Sequence, residues 1–414
     1  MTSLESWIVG QGLSGSSVAS LLSGFAEQLL VEGIPVVRAY LALPTVNPTI
    51  RVHNRTWTRS TGTVIEDVSH ERIDRFEASP FGHMVRTGVV NHHWRFDKPG
   101  PEWFGVFDEV KREGGQDYLA RLIRFEEASA LDLRGIAASF STDREGGFLP
   151  TEIARIDAVL PLLGLAAYRI TLLDLTVSML DTYVGLSAGH RVLSGEIRRG
   201  SGTTITAALL FADLRGFTAL ADTADTSLIV RLNQHLEAMA EPVAEQGGEV
   251  LKFLGDGLLA VFPITEEQPQ KAACAAAVRG AQEAIARNEA VNRSRHGETP
   301  LGLDIALHCG DVFYGNIGAA NRLDFTVIGP AVNEVSRMEA LCGALGCAVL
   351  MSASIAAASP ISVRSLGRHR LRGVTGEREL FTFGPKACAP RSGDDGHQRN
   401  AWGRGANPKR LPLL

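Results

Sequence analysis

The chain is poor in cysteine. It has five, at Cys274, Cys309, Cys342, Cys347 and Cys388; none lies in the first half and none forms a CxxC pair. An odd count without paired spacing excludes a disulfide framework and a zinc knuckle, and suits thiols in a reducing cytoplasm. Basic charge is not in excess either: 41 Lys and Arg stand against 46 Asp and Glu, a net charge of −5. No broad positive field exists to neutralise phosphates, so a nucleic-acid partner is not expected. Long uncharged apolar runs are missing as well. The most apolar stretch, 153–186, is interrupted by Arg155, Asp157, Arg169 and Asp174, which leaves no run near the ~20 residues a bilayer needs. A membrane span is therefore not expected, nor, from the opening MTSLESWIVGQGLSG, a secretory leader. What remains is an ordinary globular composition, 45% hydrophobic and 21% charged over 414 residues, enough for two or three domains of ~150 residues.

Three regimes follow one another. Residues 1–151 open with a helical pattern at Val18, Leu21, Leu22, Phe25, Leu29 and Leu30, then show short β-like runs at 36–42, 56–59, 119–125 and 133–139. A helix start is read at Thr151 with Glu152 behind it. The second regime, 152–199, is helical, with Leu160, Leu163, Leu172, Leu175, Met179 and Val184 near coiled-coil spacing, and with Pro161 offsetting or kinking its start. Such an apolar helix pairs with a second copy or packs on its own neighbour domain; pairing is the favoured expectation. The third regime, 200–385, alternates strands (204–212, 250–254, 258–262, 303–309, 312–317, 325–328) with helices (227–246, 272–287, 331–341), as an α/β sandwich with a mixed sheet does. The helix at 227 takes its cap from Asp225 or Thr226. Residues 386–414, rich in Gly, Pro and charge, read as a disordered tail.

Three segments of the third regime carry chemistry. In LLFADLRGFT, 209–218, an apolar strand drives into Asp213 and turns through Gly216. A carboxylate there needs a cation or caps the following turn, and the amides of Gly216, Phe217 and Thr218 are free to face anions. In EVLKFLGDGLLAVF, 249–262, Asp256 sits in a Gly-flanked turn between two apolar strands. A plain hairpin likes that turn too, yet with Asp213 it makes a carboxylate pair suited to Mg²⁺ or Mn²⁺. In the segment 310–341 a strand ends at Gly329-Pro330 and a helix follows, with Asn333 and Arg337 four apart on one face near the positive helix end. An amide and a guanidinium so placed suit a ribose and a phosphate gaining charge, or Arg337 simply pairs with Glu334 or Glu339. His83, His92 and His93 fit no ligand spacing and read as exposed or core histidines.

The ordered motifs FADLRGFT, LKFLGDGLLAVF, YGNIG, LDFTVIGPAVNEVSRMEAL and RLRGV resemble a class III nucleotidyl cyclase catalytic domain over nearly all of 204–384. The resemblance implies a ferredoxin-like α/β core working as a head-to-tail homodimer, with ATP as substrate and two Mg²⁺ or Mn²⁺ per active site. It implies that Asp213 and Asp256 hold the metals with the backbone of Leu214, and that Gly216, Phe217 and Thr218 meet phosphates. Lys252 and Thr326 would read the purine, Asn333 the ribose, Arg337 the transition state, and Arg372 a phosphate where a lysine is usual. Lys252 and Thr326 favour ATP over GTP, because guanylyl cyclases would have Glu at 252; Asp324 is set aside as purine reader on register. A diguanylate cyclase would carry a GG-[D/E]-E-F turn, which is absent, and a dead cyclase-like module would have lost a metal aspartate or Asn333 or Arg337. The segment 117–168 resembles the second half of a GAF-type sensor domain, which implies a cytoplasmic sensor of a small-molecule effector ahead of the helical linker.

Overall fold

The structure, a computed structural model, describes residues 4–384 except 16, 46–49, 70–73, 99, 101, 126–134, 218–219 and 221–225. The expected tail 386–414, the cap at Asp225 and the first residues of the run at 133 lie outside the described residues. The chain divides into two compact units between Ser194 and Gly195.

In the first unit, helices α1 (Leu4–Ser14) and α2 (Val18–Val31) precede β1 (Val36–Pro44), β2 (Ile50–Thr58) and β3 (Gly62–Ser69). Helices α3 (Asp74–Glu77) and α4 (Pro80–Thr87), β4 (Asn91–Arg95), α5 (Gly105–Arg112), β5 (Asp117–Arg124) and β6 (Gly135–Thr142) follow. The six strands form an antiparallel sheet in the order β3-β2-β1-β6-β5-β4. Alternation along the strands sends side chains to two separate cores. Ala39, Leu41, Ala138 and Phe140 pack with Phe25 and Leu29 of α2. From the other face, Tyr118 and Ala120 pack with Phe81, Met84, Phe107 and Val110 of α4 and α5.

Helix α6 (Pro150–Val184) runs unbroken through Pro161. The helix start read at Thr151 falls at Pro150, and of the two placements expected for the apolar helix the described residues show packing on its own unit. Ile156, Val159, Leu160, Leu163, Ala167 and Ile170 are built into the same core as α2 and β1. The leucines read as a pairing stripe are thus partly consumed at home, where burying each side chain is worth about 2 kcal/mol. Helix α7 (Leu186–Leu193) closes the unit. By length and composition α6 is also apolar enough to cross a membrane; Ile156, Val159, Leu160, Leu163, Ile170 and Leu175 are buried inside the unit, while Leu165 and Leu173 are exposed.

The three histidines, read as exposed or core, are half-buried, each against a protein neighbour. His92 stacks on Trp94 at 3.8 Å between ring centroids, and His83 packs edge-on to Trp94. His93 Nε2 bonds the Asp117 carboxylate at 2.7 Å. Asp117, fully buried, also accepts the Thr142 amide at 3.0 Å and the Phe148 amide at 2.9 Å. One carboxylate thereby ties β4, β5, β6 and the approach to α6.

The second unit is a mixed sheet. Strand β7 (Gly202–Arg215) precedes helix α8 (Thr226–Glu245), β8 (Glu249–Leu254), β9 (Gly257–Pro263) and helix α9 (Gln270–Ser294). Strands β10 (Gly302–Ala319) and β11 (Arg322–Ile328) lead to α10 (Pro330–Glu339) and α11 (Cys342–Leu345). Strand β12 (Val349–Ser352), α12 (Ala353–Ala358), β13 (Arg364–Arg370) and β14 (Glu377–Thr382) complete it. The order is β13-β14-β12-β10-β7-β9-β8, with β11 paired to β10 and only β10–β12 parallel among the described pairs. The two strands expected at 303–309 and 312–317 are one continuous strand. Gly310, inside that strand, gives clearance: a Cβ there would lie 2.9 Å from Ala331 Cβ of α10. Ala208, Leu210, Ala212 and Leu214 face α8 and α9, whose Met239, Val243, Ala277 and Ala281 complete the core. Helix α10 packs on β7 and β10 from the opposite face.

Two predictions follow from this packing. Asp117→Ala leaves two buried amides without acceptors and should cost about 2–5 kcal/mol, read as an earlier first transition in chemical denaturation. His235 and His308 are both pushed below their ordinary 6.5 by burial. The neutral form is favoured in the fold, so the associated stability is present above the unfolded value and is lost as pH falls from there through the lower folded value. The melting temperature should therefore drop between pH 7 and pH 5, and less so in a His235→Gln variant.

Candidate active site

Strand β7 is apolar because it is buried between two layers, and period two then decides its last residues. Ala212 and Leu214 turn to the α8/α9 core, so Asp213 and Arg215 emerge on the face that α10 covers. Asp213 pairs in register with Gly257, the first residue of β9. Asp256 is therefore the immediate neighbour of Asp213's partner, and its carbonyl accepts the Leu214 amide at 3.3 Å. Gly257 is required by this approach: a Cβ would stand 2.4 Å from the Ala212 carbonyl oxygen and 2.9 Å from Asp213 Oδ1. Gly255, at φ +71°, supplies the left-handed turn residue before Asp256.

The Asp213 and Asp256 carboxylates and the Leu214 carbonyl are hard oxygen donors, the kind that a small divalent cation takes. Among the described residues no group of three or more His, Cys, Asp and Glu side chains converges as a metal site, so a pair of carboxylates is what the chain offers. Beyond Asp213, Gly216 has φ +90° and Phe217 packs on the α8/α9 core. Thr218 lies outside the described residues.

Asn333 and Arg337 share one face of α10, as their spacing demands. The structure corrects their placing at the positive helix end. Asn333 is one turn in and exposed, whereas Arg337 stands in the last turn of this ten-residue helix. Neither expected glutamate pairs with Arg337. Glu334 is held by Arg378 Nε of β14 at 2.8 Å, and Arg337 forms no ion pair among the described residues. Its guanidinium rests against the turn carrying RLRGV: a Cβ on Gly373 would be 3.2 Å from Arg337 Nη1. Arg372, exposed in that turn, is thereby brought beside Arg337's surroundings.

Thr326 lies on β11 opposite Gly315 of β10 and is 5% exposed. Its Oγ1 is buried and has no hydrogen-bond partner among the described residues, an uncommon state for a hydroxyl. Lys252 of β8 reaches β11, where its Nζ is 3.6 Å from Asp324 Oδ2. Asp324 is two residues from Thr326 and so on the same strand face; register does not separate it from Lys252. Sequence reasoning passed over this pair, and over the Arg215–Asp304 pair beside Asp213. Both partners were visible as charges near strand ends, without any sign of which would meet.

Residues 201–383 match the family described as the adenylate and guanylate cyclase catalytic domain. Over 228 residues the chain is 29% identical to an adenylate cyclase of Anabaena cylindrica, covering 54% of this chain and 44% of that protein. Over 227 residues it is 30% identical to adenylate cyclase 2 of Rhizobium meliloti, covering 53% of this chain and 61% of that one. The solved adenylyl cyclase CyaB from P. aeruginosa is 25% identical, with a TM-score of 0.41, over 46% of this chain and 100% of that one. The chain spans about half the length of the curated relatives it matches. The family match and these relatives support a class III adenylate and guanylate cyclase catalytic domain at residues 201–383, the strand-and-helix unit that carries Asp213, Asp256 and the α10 pair.

Proposed function

We propose that this chain is an adenylate cyclase, converting ATP to 3′,5′-cyclic AMP and pyrophosphate. The observation that carries the reading is the pairing of Asp213 with Gly257, which sets Asp213 and Asp256 side by side at the end of the sheet. The adenylate choice is supported by Lys252 and by the unsatisfied Thr326 hydroxyl. An ammonium can donate to adenine N1, and a hydroxyl oxygen can accept from its 6-amino group.

In the reaction the ribose 3′-hydroxyl attacks the α-phosphorus and pyrophosphate leaves from the opposite side. Asp213, Asp256 and the main chain of Leu214 would hold two Mg²⁺ or Mn²⁺, which lower the pKa of the attacking hydroxyl and offset phosphate charge. Gly216, Phe217 and Thr218 offer amides to the phosphates. Asn333 orients the ribose, and Arg337, without an ion pair among the described residues, meets the charge that grows on the α-phosphoryl group. Arg372 adds positive charge toward the leaving phosphates. One chain carries both the carboxylates and the purine-reading residues. In a two-fold homodimer each site takes its carboxylates from one copy and Lys252, Thr326, Asn333 and Arg337 from the other. The first unit is proposed to be a GAF-like cytoplasmic sensor of a small molecule, joined to the cyclase unit through α6 and α7.

Purified full-length protein should form cyclic AMP from ATP, and GTP should be the poorer substrate in direct competition. Asp213→Asn should lower the rate ~100-fold or more. Mixing Asp256→Ala and Arg337→Ala chains should recover part of the wild-type rate, since one of the two mixed sites is intact. Cyclic GMP as the main product would overturn the adenylate assignment, and no recovery on mixing would overturn the shared site.

A further inference from the structure

A third carboxylate flanks Asp213. Asp304 lies directly across from it in the β7–β10 pairing, where paired residues hold their Cβ atoms about 5 Å apart on one face. Asp304 is 7% exposed. Its charge is met by Arg215, the residue two along from Asp213 on that same face. Arg215 Nε donates to Asp304 Oδ2 at 3.0 Å and Nη2 donates to Oδ1, a two-pronged pair. The backbone around it is closely set: a Cβ on Gly302, opposite Arg215, would be 3.3 Å from Arg215 Cβ. Burial and Asp304 together push the nearby Cys342 thiol up, so Cys342 brings no competing negative charge.

Arg215 is thus a long cation placed within reach of two carboxylates, and it is committed to one of them. Released from Asp304, its side chain could turn along the strand face to Asp213 and compete there with a divalent cation. We infer that Asp304 is a positioning residue for metal binding: it holds Arg215 away from Asp213 and cancels its charge. This inference rests on the reading of Asp213 as a metal ligand.

The test is Mn²⁺ titration of the full-length protein, following free Mn²⁺ by electron paramagnetic resonance, with cyclase rate against Mn²⁺ concentration alongside. Asp304→Asn should weaken Mn²⁺ binding about tenfold, the scale of a unit charge a few ångströms away in a half-exposed site. Arg215→Gln removes the competing cation instead and should bind Mn²⁺ at least as tightly as wild type. The double variant should return to within about threefold of wild type, because neither charge remains. A merely structural ion pair would weaken both single variants in step with their melting temperatures. Parallel weakening in both, or unchanged binding in Asp304→Asn, overturns the inference. The Arg215→Gln arm stands by itself should Asp304→Asn fail to fold, weakened binding there counting against it. Unaltered Mn²⁺ binding in Asp213→Asn overturns the metal reading itself, and the inference with it.

Discussion

At Gly257 the main chain of β9 runs so close to β7 that no side chain fits between them, and the geometry of the second unit's sheet corner follows from that contact. Because β7 and β9 stay paired to their ends, Asp213 and Asp256 come to the same corner of the sheet. Because side chains alternate, the strand that buries Ala212 and Leu214 under α8 and α9 must present Asp213 and Arg215 on its other face. A second missing side chain, at Gly310, lets α10 settle on that same face. Two glycines thus do for backbone clearance what no polar contact could.

Charge around this corner is divided into pairs. Glu334 goes to Arg378, Lys252 to Asp324 and Asp304 to Arg215. Each pairing takes a group out of competition for its neighbours. Arg337, placed against Gly373, has no such partner among the described residues, which is the arrangement a group needs if it is to meet charge appearing only during a reaction. The buried Thr326 hydroxyl is the complementary case, a polar atom without a hydrogen-bond partner among the described residues.

The first unit shows how an apolar helix can serve a core without a second copy. Helix α6 spends Ile156, Val159, Leu163 and Ile170 on the core it shares with α2 and β1. It is tied down further by Arg121 with Asp157 at 2.7 Å, and by Arg155 with Glu5 and Glu32. On its other side Leu165, Leu173 and Tyr183 remain exposed.

Much of this was legible before any coordinates. The apolar run that ends in Asp213, the Gly-Asp-Gly turn and the four-residue spacing of Asn333 and Arg337 are local properties, set by backbone sterics and side-chain period. The strand that carries Asp213, the turn that carries Asp256 and the shared helix face of Asn333 and Arg337 follow from them. What the sequence could not decide were the meetings between distant segments. A strand pattern does not say that Asp213 faces Gly257 and Asp304, that Lys252 reaches Asp324, or that α6 folds back on its own sheet. Those outcomes depend on which backbones can approach closely and which apolar faces find cover, and such packing is settled only when the whole unit closes.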